Sequence, residues 1–196
     1  MANYFEPADL KVMDEVRKKI YILREEVWLK YMIDILDTDA LSALTIYQII
    51  SQYDSDYNIN FARNGEDAKS NETLIECKAA RVAGPLTKTG KPRKGAGTDA
   101  FFLFHAMGDI EHSRYIFVAR NKDNLEIVRL YDISTKSNCK LVADYLLGER
   151  EKWLAKSKKD KNQMKRDIIS ISEKFIVENL ILPTTLTIAN CLVHKD

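Results

Sequence analysis

Asn64-Gly65-Glu66-Asp67-Ala68-Lys69-Ser70-Asn71-Glu72-Thr73-Leu74-Ile75-Glu76-Cys77-Lys78 reads as two short strands joined by a turn. Side chains alternate along a strand, so Leu74, Glu76 and Lys78 face one way, and Thr73, Ile75, Cys77 and Ala79 the other. A two-residue turn at Asn71-Glu72 pairs Ser70 with Thr73. It sets Asp67 opposite Glu76, with Cβ atoms roughly 5 Å apart on one face. A slip of one residue sends them to opposite faces. Two carboxylates that close repel each other unless a proton or a cation intervenes. A hard divalent ion such as Mg²⁺ takes oxygen ligands of this kind and keeps several of its waters. Lys78 faces the same space, placed to orient a water and to steady charge on a phosphate oxygen. Such a set suits phosphodiester hydrolysis.

Upstream of this hairpin, Leu10, Met13, Val16, Ile20, Leu23, Val27, Tyr31 and Ile35 recur at three and four, which predicts a long amphipathic helix from Asp9 to about Leu36. Asp37-Thr38-Asp39 breaks it and caps a second helix, in which Leu41, Leu44, Tyr47 and Ile50 share a face. Gly and Pro are absent between Asp9 and Asn64, as helices prefer. The period then shortens. Tyr57, Ile59 and Phe61 alternate with polar residues, and Leu74 to Ala80, Phe101 to His105, Tyr115 to Arg120 and Leu125 to Ile133 also read as strands. Asn121-Lys122-Asp123-Asn124 has turn chemistry and predicts a hairpin between the last two. From about Lys140 the chain reads as helical again, with Pro183 ending a helix that carries Ile168, Ile171, Phe175 and Ile176. The expected fold is α/β or α+β: a central mixed β-sheet flanked by N- and C-terminal helices. As one domain over 1–196, it divides into helices at 1–53, the sheet at 54–135 and helices at 136–196.

Composition sets the outer limits. The 196 residues are 45% hydrophobic, with seven Gly and four Pro, enough for a core and too ordered for a fibrous or disordered chain. Thirty basic and 29 acidic residues leave a formal charge of +1, so the balance alone announces no nucleic-acid partner. Cys77, Cys139 and Cys191 form no CxxC pair, which argues against a structural zinc site or a disulfide framework. No secretory signal or membrane span is legible, and a cytoplasmic location is expected.

An acidic residue, a short gap, then Glu-x-Lys on a strand behind a helix resembles the PD-(D/E)xK nuclease superfamily, and most closely its type II restriction endonucleases. The likeness covers roughly Ala40 to Ile133, with the diagnostic residues between Asp67 and Lys78. The resemblance implies a restriction-endonuclease-like core and Mg²⁺-dependent cleavage of double-stranded DNA at a short sequence. It implies that Asp67 and Glu76 bind the metal, that the Cys77 backbone carbonyl completes its coordination, and that Lys78 serves the attacking water. Cutting both strands symmetrically requires two sites, hence a homodimer and a palindromic target. The chain departs from the family in two places. Gly65-Glu66 stands where Pro is common, and the gap from Asp67 to Glu76 is short, which leaves Glu66 open as a partner of Asp67 or a substitute for it. A structure-specific or repair nuclease, and a non-catalytic DNA-binding protein, are the competing readings.

Other stretches bear on this. The run Gly84 to Gly97 holds Lys88, Lys91, Arg93 and Lys94 with no acid, between glycines that permit close backbone approach. It is suited to gripping DNA phosphates, with Arg93 reading a guanine edge, and reads equally well as a plain surface loop. Its likeness to a nucleotide-binding P-loop fails: the spacing is one residue too long, and Pro92 stands where Ser or Thr is required. No nucleotide cofactor is expected. Arg150, Lys152, Lys156, Lys158, Lys159, Lys161, Lys165 and Arg166 can line a DNA backbone or form a solvated helix face. His105, Asp109, Glu111 and His112 look like a metal cluster, but a strand and a turn are not expected to bring them together, and a structural role is favoured. Glu25 and Glu26 are remote candidates for a third acidic ligand. Cys77 is expected in the core rather than in chemistry.

Overall fold

The computed structural model of the chain describes residues 12, 14–16, 18–19, 22–23, 25, 45–59, 67–71, 73–82, 99–121, 126–157, 167–188 and 191–196. Contacts divide the chain into two units, Met1–Leu44 and Thr45–Asp196. In the first, every described residue between 12 and 25 is helical, as the spacing predicts. Val12, Val16, Ile22 and Leu23 are exposed there. The rest of the predicted first helix lies outside the described residues.

The second unit begins with helical residues 45–50 (α1). Its strands are β1 (Asn58–Ile59), β2 (Ala68–Ser70), β3 (Thr73–Arg81), β4 (Phe101–His105), β5 (Arg114–Arg120), β6 (Ile127–Ile133), β7 (Ile168–Ser172), β8 (Thr184–Ile188) and β9 (Cys191–Lys195). Two further helices are α2 (Lys136–Ser157) and α3 (Glu173–Asn179). Seven strands form one sheet in the order β1-β2-β3-β5-β6-β9-β8, and β4 and β7 make a small second sheet. The large sheet is mixed: β3/β5 and β6/β9 run parallel, the other neighbours antiparallel. The unit is thus a mixed α/β fold, as expected. No helix among the described residues is long and apolar enough to cross a membrane.

Strand β5, Arg-Tyr-Ile-Phe-Val-Ala-Arg, is buried at six of its seven positions because it lies mid-sheet with both faces covered. Tyr115, Phe117 and Ala119 join Tyr131 and Ile133 of β6 on one face. Val142 and Leu146 of α2, Ile176 of α3 and Phe102 and Phe104 of β4 pack with them. Phe102 and Phe117 approach to 4.8 Å between ring centroids. The alternate residues Ile116, Val118 and Leu130 face Ile46, Ile49 and Ile50 of α1, together with Ile75 and Val193.

Three expectations require correction. The buried face of α1 is Ile46, Ile49 and Ile50, whereas Tyr47 is 41% exposed; the bulky ring sits at the rim and the β-branched residues fill the core. Ile168 and Ile171 belong to a strand, not to a helix with Phe175 and Ile176. Ile169 and Ile171 are the buried members of that strand, and the Ser172 hydroxyl then caps α3 by accepting the Phe175 N–H at 3.2 Å. Finally, segment 136–196 is not all helical: it supplies β7, β8 and β9, and β9 enters the interior of the large sheet.

Buried charge ties the elements together. Arg114 on β5 donates to both carboxylate oxygens of Asp132 on β6, at 2.7 and 2.6 Å, and to Asp54 after α1 at 2.7 Å. Ser70 of β2 adds a hydrogen bond to Asp54 at 2.8 Å. Glu173, at the start of α3, accepts from Arg129 at 2.5 and 2.9 Å and from Tyr131 at 2.7 Å. Asp196 accepts from the Ser134 and Thr135 backbone N–H groups and from Asn138 at the head of α2. Burial pushes the carboxyls of Asp54, Glu173 and Asp196 upward, but the hydrogen bonds and, for Asp54 and Glu173, the adjacent guanidinium outweigh it and hold them below their ordinary values. A depressed folded-state pKa contributes stability that is complete above the unfolded value and is lost as pH falls through the folded one. The urea midpoint is therefore expected to be level near neutrality and to drop below about pH 5, with Asp196→Asn flattening the drop. An unchanged midpoint at pH 3 would contradict this assignment.

Candidate active site

The β2/β3 hairpin carries the residues singled out in the sequence. Asn71 adopts a positive φ of 45°, a conformation its short polar side chain tolerates better than most. Ser70 pairs with Thr73, Lys69 with Leu74 and Ala68 with Ile75. The next step places Asp67 opposite Glu76, as the two-residue turn requires. Asp67 sits just outside β2, and its Oδ2 accepts the Cys77 backbone N–H at 2.8 Å. That bond fixes the carboxylate against β3.

Lys78 then brings the set together. Its Nζ pairs with Glu76 Oε1 and stands 3.7 Å from Asp67 Oδ2. It also lies 5.3 Å from the centroid of the Phe104 ring, whose π face favours a cation. Glu76 is the most enclosed of the three side chains, 13% exposed against 25% for Lys78 and 43% for Asp67. The site is open to solvent on the Asp67 side and walled by β4 behind the lysine. Two carboxylates with one cationic nitrogen between them can hold a cation, donate to an anionic oxygen, or close on each other as an ion pair.

Sequence reasoning kept His112 out of the chemistry. The fold places its Nε2 4.0 Å from Glu76 Oε2. Parallel pairing of β3 with β5 sets Glu76 against Tyr115. The Tyr115 hydroxyl accepts the His112 N–H at 3.1 Å and donates to the Ile110 carbonyl, while the two rings meet edge to face at 5.4 Å. The imidazole is thereby fixed beside Glu76. His105, Asp109 and Glu111 are exposed, and of Asp109 it is the backbone carbonyl that approaches the His112 Nε2, at 3.3 Å. Among the described residues, no three His, Cys, Asp or Glu side chains gather closely enough to hold a metal by themselves. A cleft of about 750 Å³ opens next to His112, bordered by Ser70, Asn71, Glu111, Lys136 and Lys140. The acidic pair is outside its described walls, so His112 is the link between cleft and carboxylates.

Cys77 points away from Glu76, with its Sγ 3.3 Å from the Tyr57 hydroxyl. Burial pushes its thiol up to about 12, which keeps it protonated and unreactive, in keeping with a core role. Arg150 is not available to phosphate: it donates to the Ala106 carbonyl at 2.5 Å and to that of Gly108. Lys152 pairs with Glu149 at 2.7 Å, whereas Lys156 is exposed. Glu25 is exposed and belongs to the unit Met1–Leu44. Glu26, Glu66, Lys88, Lys91, Arg93, Lys94 and the run from Lys158 to Arg166 lie outside the described residues. Compared with protein-family models and with curated proteins, the sequence matches none.

Proposed function

We propose that this chain is a Mg²⁺-dependent endonuclease acting on double-stranded DNA, with Asp67, Glu76 and Lys78 as its catalytic group and a restriction-endonuclease-like core. The observation that carries the reading is the convergence of both carboxylates on Lys78 Nζ. A cationic nitrogen already occupies the point where a hard divalent ion would sit. Oxygen donors from two carboxylates also match the habit of Mg²⁺, which takes one or two from protein and the rest from water and substrate phosphate. The residues therefore fit the ion: Asp67 and Glu76 would hold it. The Cys77 carbonyl leaves the strand on the same side as its N–H, toward Asp67, and Glu66 adjoins it in sequence. When bound, the metal supplies charge neutralisation at the phosphoryl group and a more acidic water.

The chain's own residues do the rest. Lys78 Nζ would donate to the attacking water or to a non-bridging phosphate oxygen. Asp67 stays anchored through the Cys77 N–H, and Phe104 backs the lysine and excludes water from that side. Two copies related by a two-fold axis would present two such sites to the two strands.

One observation favours a rival. The Lys78–Glu76 contact is a self-sufficient ion pair, as a non-catalytic DNA-binding protein with this sheet would have. Plasmid DNA incubated with the wild-type chain and with Lys78→Ala, each with Mg²⁺ and with EDTA, separates the two. Cleavage by wild type in Mg²⁺ alone, lowered by about 10²–10³-fold in the variant, is expected for a lost donor to transition-state charge. Discrete bands would indicate recognition of sequence, and cutting only at branched or damaged sites recognition of shape. No cleavage at any Mg²⁺ or salt concentration would leave the DNA-binding reading in its place.

A further inference from the structure

Arg81 and Arg120 end the parallel strands β3 and β5 and are direct partners in their register. Two guanidinium groups side by side repel each other, and a buried guanidinium is expected to have its donors filled. Here Nε and Nη2 of Arg120 are buried and have no hydrogen-bond partner. Arg114 and Arg129 instead have Asp132, Asp54 and Glu173 arranged around them. Among the described residues, no carboxylate is paired with Arg81 or Arg120 as Asp132, Asp54 and Glu173 are with their neighbours.

Alternation along β3 sends Arg81 to the face opposite Glu76 and Lys78. On that face Ala79 and Arg81 are both exposed, so the Arg81 end of the pair meets solvent while Nε and Nη2 of Arg120 lie enclosed behind it. Guanidinium donors arranged as a fork match the oxygens of a tetrahedral oxyanion better than a point cation does.

We propose that Arg120 and Arg81 form a binding site for one phosphate group, on the sheet face opposite the carboxylates. Arg120 supplies Nε and Nη2 as an inner fork, and Arg81 closes the site from the solvent side. A free phosphate, a small phosphorylated molecule and a nucleic-acid backbone all present this group. The chemistry recognised is the same.

Thermal unfolding of the full chain in EDTA, with inorganic phosphate exchanged for chloride at constant ionic strength, tests this. At ten times its Kd, phosphate should raise the Tm of wild type by about 3–6 °C. The rise should vanish in Arg120→Met and shrink in Arg81→Met. Without phosphate, Arg120→Met should melt at or above the wild-type temperature, because it removes unfilled buried donors and a like-charge contact. A lower Tm for Arg120→Met in chloride, or a phosphate shift equal in all three proteins or absent from wild type, would overturn the proposal. Displacement of phosphate by a short DNA duplex in the same buffer would assign the group to a nucleic-acid backbone, and its failure to displace would assign it to a small ligand. Either result leaves the cleavage experiment, read in Mg²⁺, to decide the nuclease reading independently.

Discussion

Glu76→Gln is expected to lower Mg²⁺-dependent cleavage of DNA by on the order of 10³-fold or more while leaving the chain folded. The substitution keeps the shape of the side chain and removes its charge. Asp67 alone then faces the proposed metal, and a half-charged site both binds the ion less well and polarises phosphate less. The fold should bear the change because Lys78, 25% exposed, retains solvent and Asp67 Oδ2 at 3.7 Å. Two measurements distinguish the chemical role from a structural one. Mg²⁺ should raise the Tm of wild type by mass action and not that of the variant. Melting in EDTA should differ by no more than a few degrees. A Glu76→Gln chain that cuts DNA at the wild-type rate would remove Glu76 from the chemistry.

The second large effect concerns Arg114. Its side chain is 9% exposed and holds Asp132, 3% exposed, and Asp54, 17% exposed. Arg114→Ala leaves both carboxylates without their cation, with Asp132 almost fully buried and Asp54 largely so. Removing one partner of a buried ion pair costs about 3–5 kcal/mol, against a typical total of about 5–15 kcal/mol. Urea denaturation should therefore show a large loss in midpoint with little change in slope. Adding Asp132→Asn should recover part of the loss, since one stranded charge is gone, and the shortfall from additivity measures the coupling. A loss below about 1 kcal/mol would place this triad with exposed pairs of little consequence. Arg114 pairs in register with Ile75, next to Glu76, so loosening here should also blunt the site.

The hairpin was legible because its signals are local. Asn71 accepts the φ the turn demands, period two runs through β3, and both depend on residues within one short stretch. Every later strand through β6 announced itself in the same way. His112 did not, because its approach to Glu76 depends on β3 choosing β5 as a parallel neighbour. Nothing within either strand encodes that choice, and the partners are separated by β4. The C-terminal part failed for another reason. Ile168, Ile171, Phe175 and Ile176 satisfy a helical period, while Ile169 and Ile171 satisfy a strand period over the same residues. The deciding signal is Ser172, which ends one element and caps the next, and a lone serine in an apolar run carries little weight from sequence alone. The Arg81–Arg120 pairing is again non-local, visible only once the parallel register is known.

The place of β9 between β6 and β8 has a consequence for how the chain comes into being. On the ribosome, β5 and β6 emerge together and can pair at once, but the far edge of β6 must wait for a strand made much later. At ordinary translation speeds the interval between Ile133 and Cys191 lasts roughly 3–12 s. Throughout it the nascent protein offers an open, apolar edge of the kind that other chains add to.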